Sequence, residues 1–223
     1  ILLYMNYDSV PLRDFKELND WETVIFVYQS ALKQVETKID ILNGEFQHRH
    51  KYNPIEHVKS RIKTPESIVK KLKRHGYESS IENMVRYVND IAGIRISCSF
   101  TSDIYLIADM ISKQNDLTIL ARRDYMKNPK KSGYRSYHML VTTPVFLSDS
   151  IIDTKVEIQI RTVAQDFWAT LEQKDLIVNF IGAVVFSIIG ILYLRNRGKG
   201  KLAASLIPQV RSKQEEELSS KNQ

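Results

Sequence analysis

An α+β domain, a mixed sheet flanked by helices, is the expectation for these 223 residues, and three observations lead to it. In Thr-Lys-Val-Glu-Ile-Gln-Ile-Arg-Thr (154–162), Val156, Ile158 and Ile160 alternate with Glu157, Gln159 and Arg161. That is the period of a strand with one face in a core. Residues 93–100 repeat the pattern, with Ile94, Ile96, Cys98 and Phe100 on the apolar face, Arg95 on the other, and Asp90 three residues ahead. Helical spacings stand between and around such strands, which fits the α+β class. If the two polar faces line one cleft, Asp90 and Glu157 form a carboxylate pair suited to a divalent metal and to proton removal.

The elements follow in chain order. Residues 1–4 precede Met5, a candidate start, and are too short and uncharged for a signal peptide. Val24, Tyr28, Ala31, Val35, Ile39, Leu42 and Phe46 recur at three- and four-residue intervals, predicting an amphipathic helix from Trp21 to His48. Asn53-Pro54 breaks the chain. Thr64 then caps a helix with Pro65 in its first turn, running to His75 and ended by Gly76. A short helix over 81–88 leads to the strand after Asp90. Residues 102–114 read as a helix, 117–121 and 137–146 as strands, Ser148-Asp149-Ser150 as a hairpin turn, and 164–173 as a helix. Leu176 to Leu194 carries no charge, and about twenty apolar residues span a bilayer core, so a transmembrane helix is expected there. The expected division is a helical region 1–50, a main domain 51–175, the apolar segment 176–194, and a basic then acidic, disordered tail 195–223.

Charge is unevenly spread. The chain totals +6; residues 59–75 carry +6 and 122–135 carry +5, while the rest of 1–175 carries −9. Two basic islands in an acidic body imply a local anionic ligand more than a coat for nucleic acid. Cys98, the one cysteine, excludes internal disulfides and cysteine-rich zinc sites. Neither G-x-x-x-x-G-K-[ST] nor G-x-G-x-x-G occurs, so phosphates are not expected on a P-loop or Rossmann turn. Without a His-Asp dipeptide, a phosphohydrolase of that type is disfavoured. Arg61, Lys63, Lys70, Lys71, Lys73 and Arg74 form the first island. The second runs through Lys130, Gly133, Tyr134 and Arg135. Guanidinium groups fork onto phosphates and stack on bases, as tyrosine faces do. Two such sites beside an acidic pair suit two nucleotides and a magnesium ion, the parts of a nucleotide-handling transferase.

Four motifs in order extend this reading: His57-Val58-Lys59-Ser60-Arg61-Ile62-Lys63, Asp90-Ile91-Ala92-Gly93-Ile94-Arg95, Lys131-Ser132-Gly133-Tyr134-Arg135-Ser136-Tyr137-His138, and Glu157-Ile158-Gln159-Ile160-Arg161-Thr162. Together they resemble the synthetase domain of the RelA/SpoT proteins, most closely the small alarmone synthetases of the RelQ/RelP type, over about 15–174. The resemblance implies a nucleotidyltransferase-like fold and a monofunctional GTP diphosphokinase without a hydrolase domain. Such an enzyme moves the β,γ-diphosphate of ATP to the 3′-hydroxyl of GTP or GDP, making (p)ppGpp in the stringent response. It further implies Asp90 and Glu157 as magnesium ligands, with Glu157 also able to activate the hydroxyl. Arg61 and Arg95 would sandwich adenine, and Lys63 and Lys71 would hold ATP phosphates. Tyr134 would stack on guanine, Lys130, Arg135 and His138 would meet the acceptor's phosphates, and Gln159 and Asp166 would complete the guanine pocket.

The family forms tetramers through helices that follow the domain. This sequence departs at Gln173, where the family continues Glu-His-Lys, and then enters the apolar segment. Positive residues at 195–201 would put the C-terminus in the cytoplasm, whereas the nucleotide substrates require a cytoplasmic catalytic domain; the second expectation is adopted. A catalytically impaired regulatory module of the same fold, binding a nucleotide or RNA, with single-stranded RNA as the partner, is the alternative.

Overall fold

The computed structural model describes residues 20–196; the expectations about Met5 and about the tail beyond 196 lie outside the described residues. Ten elements run α1 (Trp21–His50), β1 (Ile55–Ile62), α2 (Pro65–Arg74), α3 (Ile81–Tyr87), β2 (Ala92–Cys98), α4 (Thr101–Ser112), β3 (Thr118–Asp124), β4 (Tyr137–Phe146), β5 (Ile151–Thr162) and α5 (Val163–Asn196). The chain divides into two compact units after Ala169.

In the first unit, five strands form one mixed sheet in the order β1-β2-β5-β4-β3. β2 and β5 run parallel with Gly93 opposite Glu157 and Arg95 opposite Gln159. The other neighbours are antiparallel. The expected alternation holds: Ile94, Ile96 and Cys98 of β2 and Val156, Ile158 and Ile160 of β5 are all at most 1% exposed. They join the α1 stripe (Val24, Val27, Tyr28, Ala31, Val35, Ile39) and α4 (Ile104, Ile107, Ile111) in one apolar core. The opposite faces of β2 and β5 are thereby left for Arg95, Glu157 and Gln159.

Local signals set the helix starts. Asp20 accepts from the backbone N–H of Glu22 and Thr23, and Thr64 from that of Ser67 with Pro65 behind it. Ser80 caps α3 in the same way. Gly76 takes φ +77 just past α2, a conformation that favours glycine.

Three expectations change. β1 was not foreseen: it is an edge strand with a bulge between Ile55 and His57, and that extra residue spoils the alternation. Phe100 leaves the apolar face; it precedes α4 and is 62% exposed. The third concerns the C-terminal segment. In the second unit α5 continues as one helix to Asn196, yet among the described residues no helix is long and apolar enough to cross a membrane.

Cys98 tests the core directly. Burial, with the Asp103 charge beside it, pushes its thiol up to about 12, and reactivity belongs to the thiolate. Native protein at pH 8 should give no reaction with a disulfide reagent over about an hour, and about one equivalent once unfolded in guanidinium.

Candidate active site

The cleft lies over the polar faces of β1, β2 and β5. Arg61, Asp90, Gly93, Arg95, Glu157 and Gln159 line one cavity of about 260 Å³. β1 pairs Arg61 with Gly93 and Lys59 with Arg95, so Arg61 and Arg95 are diagonal neighbours, a spacing of roughly 7–8 Å. Gly93 keeps the floor low: a Cβ there would meet the Arg61 side chain at 3.9 Å.

Asp90 stands at the β2 end of the cleft between two cations. Lys63 Nζ donates to its Oδ2 and Lys71 Nζ to its Oδ1, both at 2.7 Å. Burial pushes the Asp90 carboxyl up, but these two ammonium groups outweigh it and hold the group below the ordinary carboxylate value. Lys63 comes from the chain just after β1, and its backbone N–H also binds the Ile91 carbonyl at 2.8 Å. Lys71 comes from the last turn of α2.

Glu157 is held differently. His138 Nδ1 lies 3.3 Å from its Oε1, and Gln159 Nε2 donates to its Oε2 at 2.9 Å. Burial pushes this carboxyl up too; His138 and Gln159 bring it below the usual range, while the charge of Asp90 opposes them. Both carboxylates line the same cavity.

A chain of hydrogen bonds runs back from Glu157. His138 Nε2 is 2.9 Å from the Tyr134 hydroxyl, to which Arg161 Nη2 donates at 3.0 Å. Since Arg161 can only donate and an ionised Glu157 can only accept, the consistent arrangement has Tyr134 donating to Nε2 and Nδ1–H donating to Glu157. Arg161 also donates to Gln159 Oε1 at 2.9 Å and shares Asp166 Oδ1 with Arg95, both at 3.3 Å. Lys130 Nζ lies 4.8 Å from the ring centroids of both Tyr125 and Tyr134.

The candidate site residues are joined by these contacts except Arg135, and Lys70, Lys73 and Arg74 of the first basic island stay exposed on α2. Arg135 is exposed and donates to the Met126 carbonyl, bracing the loop instead of facing the cleft. His138 bonds Glu157 and Tyr134, a position between the carboxylate and the loop that its expected phosphate role did not anticipate. Gly133 takes φ +80, which closes the turn between Lys130 and Tyr134.

Sequence reasoning left two residues of β5 without a role. Arg161, 3% exposed, ties Tyr134, Gln159 and Asp166 together; the signal was its place on the same alternating face as Glu157. Lys155, on that face and 2% exposed, has its ammonium pulled down to about 8 by burial.

A larger depression of about 680 Å³ lies between α1 and the end of β4. It lacks the required chemistry: its one carboxylate, Asp116, is paired with Lys38 at 2.7 Å. Among the described residues no three His, Cys, Asp or Glu side chains converge on one point. Asp90 and Glu157 are the two carboxylates that line the smaller cavity together.

Residues 60–175 match the family described as a region found in RelA/SpoT proteins. The GTP pyrophosphokinase YwaC of Bacillus subtilis (strain 168) is 46% identical over 171 residues, which cover 76% of this chain and 81% of that protein. The crystal structure of small alarmone synthetase 2 from Bacillus subtilis matches with a TM-score of 0.62 at 45% identity, covering 69% of this chain and 79% of that one. Small alarmone synthetase 1 from the same organism, bound to its product pppGpp, matches with a TM-score of 0.64 at 35% identity, covering 69% and 78%.

The depressed carboxyl of Asp90 gives a signed prediction. A group that binds protons less readily when folded stabilises fully above its unfolded value, about 3.9, and loses that contribution as pH falls through the folded value. At pH 7 Asp90→Asn should cost about 1–3 kcal/mol in urea unfolding, and the difference from wild type should shrink as pH drops below about 4.

Proposed function

Starting from membership of the RelA/SpoT family, to which the chain belongs, we propose that it is a GTP diphosphokinase making (p)ppGpp. The 3′-oxygen of GTP or GDP attacks the β-phosphorus of ATP, the bond from that phosphorus to the α,β-bridging oxygen breaks, and AMP leaves. The hydroxyl proton passes to Glu157. The observation that carries this reading is the meeting of Asp90 and Glu157 in one cavity with Arg61 and Arg95, flanked by Lys63 and Lys71.

Each residue then has a role that its contacts support. Arg61 and Arg95 are spaced as diagonal neighbours on β1 and β2, suited to taking the adenine plane between two guanidinium groups. Lys63 and Lys71 neutralise ATP phosphates. A magnesium ion between Asp90 and Glu157 would supply charge neutralisation on the moving diphosphate. Glu157, kept ionised by His138 and Gln159, accepts the proton. Tyr134 stacks on guanine, with its hydroxyl fixed by His138 and Arg161. Gln159 and Asp166, both bonded to Arg161, border the base, and Lys130 meets the acceptor's phosphates. Arg135 reaches phosphate only if it releases Met126.

The carboxylate pair favours a metal–nucleotide over bare single-stranded RNA, because two acids at the floor of the cleft repel a polyanion. The nucleotide substrates support a cytoplasmic catalytic domain.

The test is ³¹P NMR or anion-exchange analysis of the chain with ATP, GDP and magnesium. AMP and a guanosine bearing a new 3′-diphosphate should appear in equal amounts; ADP would refute the mechanism. Glu157→Gln should lower kcat by roughly 10²–10⁴-fold, the range for losing a general base. Tyr134→Ala should raise the KM for the guanosine nucleotide by roughly 5–100-fold, the value of one base stack, with a smaller effect on the KM for ATP.

A further inference from the structure

We propose that Lys155 is a positioning residue that sets Asp90 at the right height opposite Glu157, an inference that rests on the diphosphokinase reading. Lys155 is 2% exposed, and its ammonium donates to three acceptors: the Val85 carbonyl at 3.0 Å, the Arg86 carbonyl at 3.3 Å and Asn89 Oδ1 at 3.1 Å. An ammonium has three N–H groups, so these bonds use its full donor capacity. All three acceptors are neutral. Lys155 therefore does not serve to cancel a bonded carboxylate; it fastens a piece of backbone.

That piece leads into the active site. Val85 and Arg86 lie in the last turn of α3, where a cation is favoured. Asn89 directly precedes Asp90. On the far side, the Lys63 backbone N–H binds the Ile91 carbonyl at 2.8 Å. Asp90 is thus held between two anchors, one before it through Lys155 and one after it through Ile91. Val88 and Ile91 are buried, at 1% and 0% exposure, and keep the segment against the core.

The anchor before Asp90 comes from the strand that carries the other carboxylate. Lys155 and Glu157 share one face of β5, two residues or about 6–7 Å apart. Asn89 also lines a small cavity with His138 and Glu157. β5 sits between β2 and β4 in the sheet, where hydrogen bonding on both sides makes it rigid. It presents Glu157 directly and locates Asp90 through Lys155, so the gap between the carboxylates is referred to one strand.

Lys155→Met keeps the length of the stem and removes all three bonds; Asn89→Ala removes one. The readouts are Mn²⁺ affinity by EPR in the presence of a non-hydrolysable ATP analogue, the Mg²⁺ half-saturation of synthesis, kcat, KM and thermal stability. Lys155→Met should weaken Mn²⁺ binding and lower kcat by roughly tenfold, the lower end of the effect of losing a support behind a metal ligand. The KM for GDP should stay within about twofold of wild type. Asn89→Ala should act in the same direction with a smaller effect, and adding it to Lys155→Met should change little, because both act through one anchor. Mn²⁺ affinity and kcat within about twofold of wild type in Lys155→Met, whatever happens to its melting temperature, would overturn the proposal. If that variant does not fold, Asn89→Ala decides on the same criteria. Wild-type protein that binds Mn²⁺ with the analogue but makes no 3′-diphosphate would defeat the diphosphokinase reading instead, leaving the Mn²⁺ comparison to judge Lys155.

Discussion

The parallel register of β2 against β5 is the constraint on which the rest of this domain depends. With Gly93 opposite Glu157 and Arg95 opposite Gln159, the cleft-facing side chains of two strands distant in sequence meet over one floor. A strand alternates its faces every residue, so a slip of one position would turn Glu157 and Gln159 into the core and expose Ile158 and Ile160. The buried isoleucines of both strands, all at most 1% exposed, make that slip costly. Core packing therefore fixes the active-site geometry, and the charged residues need only occupy the faces it leaves them.

Those charged residues are arranged so that no acid in the cleft lacks a donor. Asp90 has two lysines, Glu157 has His138 and Gln159, and Asp166 has Arg95 and Arg161. Buried carboxylates are costly unless hydrogen-bonded donors replace water, and here each has two. The donors differ in kind. Asp90 is neutralised by flexible lysine ammonium groups, which can move to phosphates. Glu157 is bonded by an imidazole and an amide, which fix its direction and keep it ionised. The pair is thus divided between a group suited to exchanging partners and a group suited to taking a proton.

Much of this was legible in the sequence because the alternation of β2 and β5 is strict and both acids sit at their polar edges. What escaped had physical reasons. The pattern of β1 is blurred by its bulge, and an edge strand buries few side chains: only Ile55 in β1 is fully buried. Phe100 continued the alternation of β2 in sequence, but the backbone turns before it into α4. His138 could be assigned to the cleft, yet nothing in the string shows that its two ring nitrogens would face Glu157 and Tyr134. Arg135 looked like its neighbours in a basic loop, and only the fold reveals that it binds a carbonyl of that loop. Arg161 reads as a polar-face residue and Lys155 carries no assignment in the sequence; that both are almost fully buried depends on α3 and the 125–136 loop folding over the ends of β5.

β5 is thus more than the strand that bears Glu157. Along one face it carries Lys155, Glu157, Gln159 and Arg161, and each is bonded to a different part of the site. Lys155 holds the segment before Asp90, and Glu157 meets His138. Gln159 joins Glu157 to Arg161, and Arg161 reaches Tyr134 and Asp166. Loops are the mobile parts of a fold, and here Asp90 and Tyr134 both sit on loops. Tethering both to one central strand, through Lys155 and Arg161, gives them the precision of the sheet. A site that must bring two nucleotides into line within a few tenths of an ångström gains most from such a common reference.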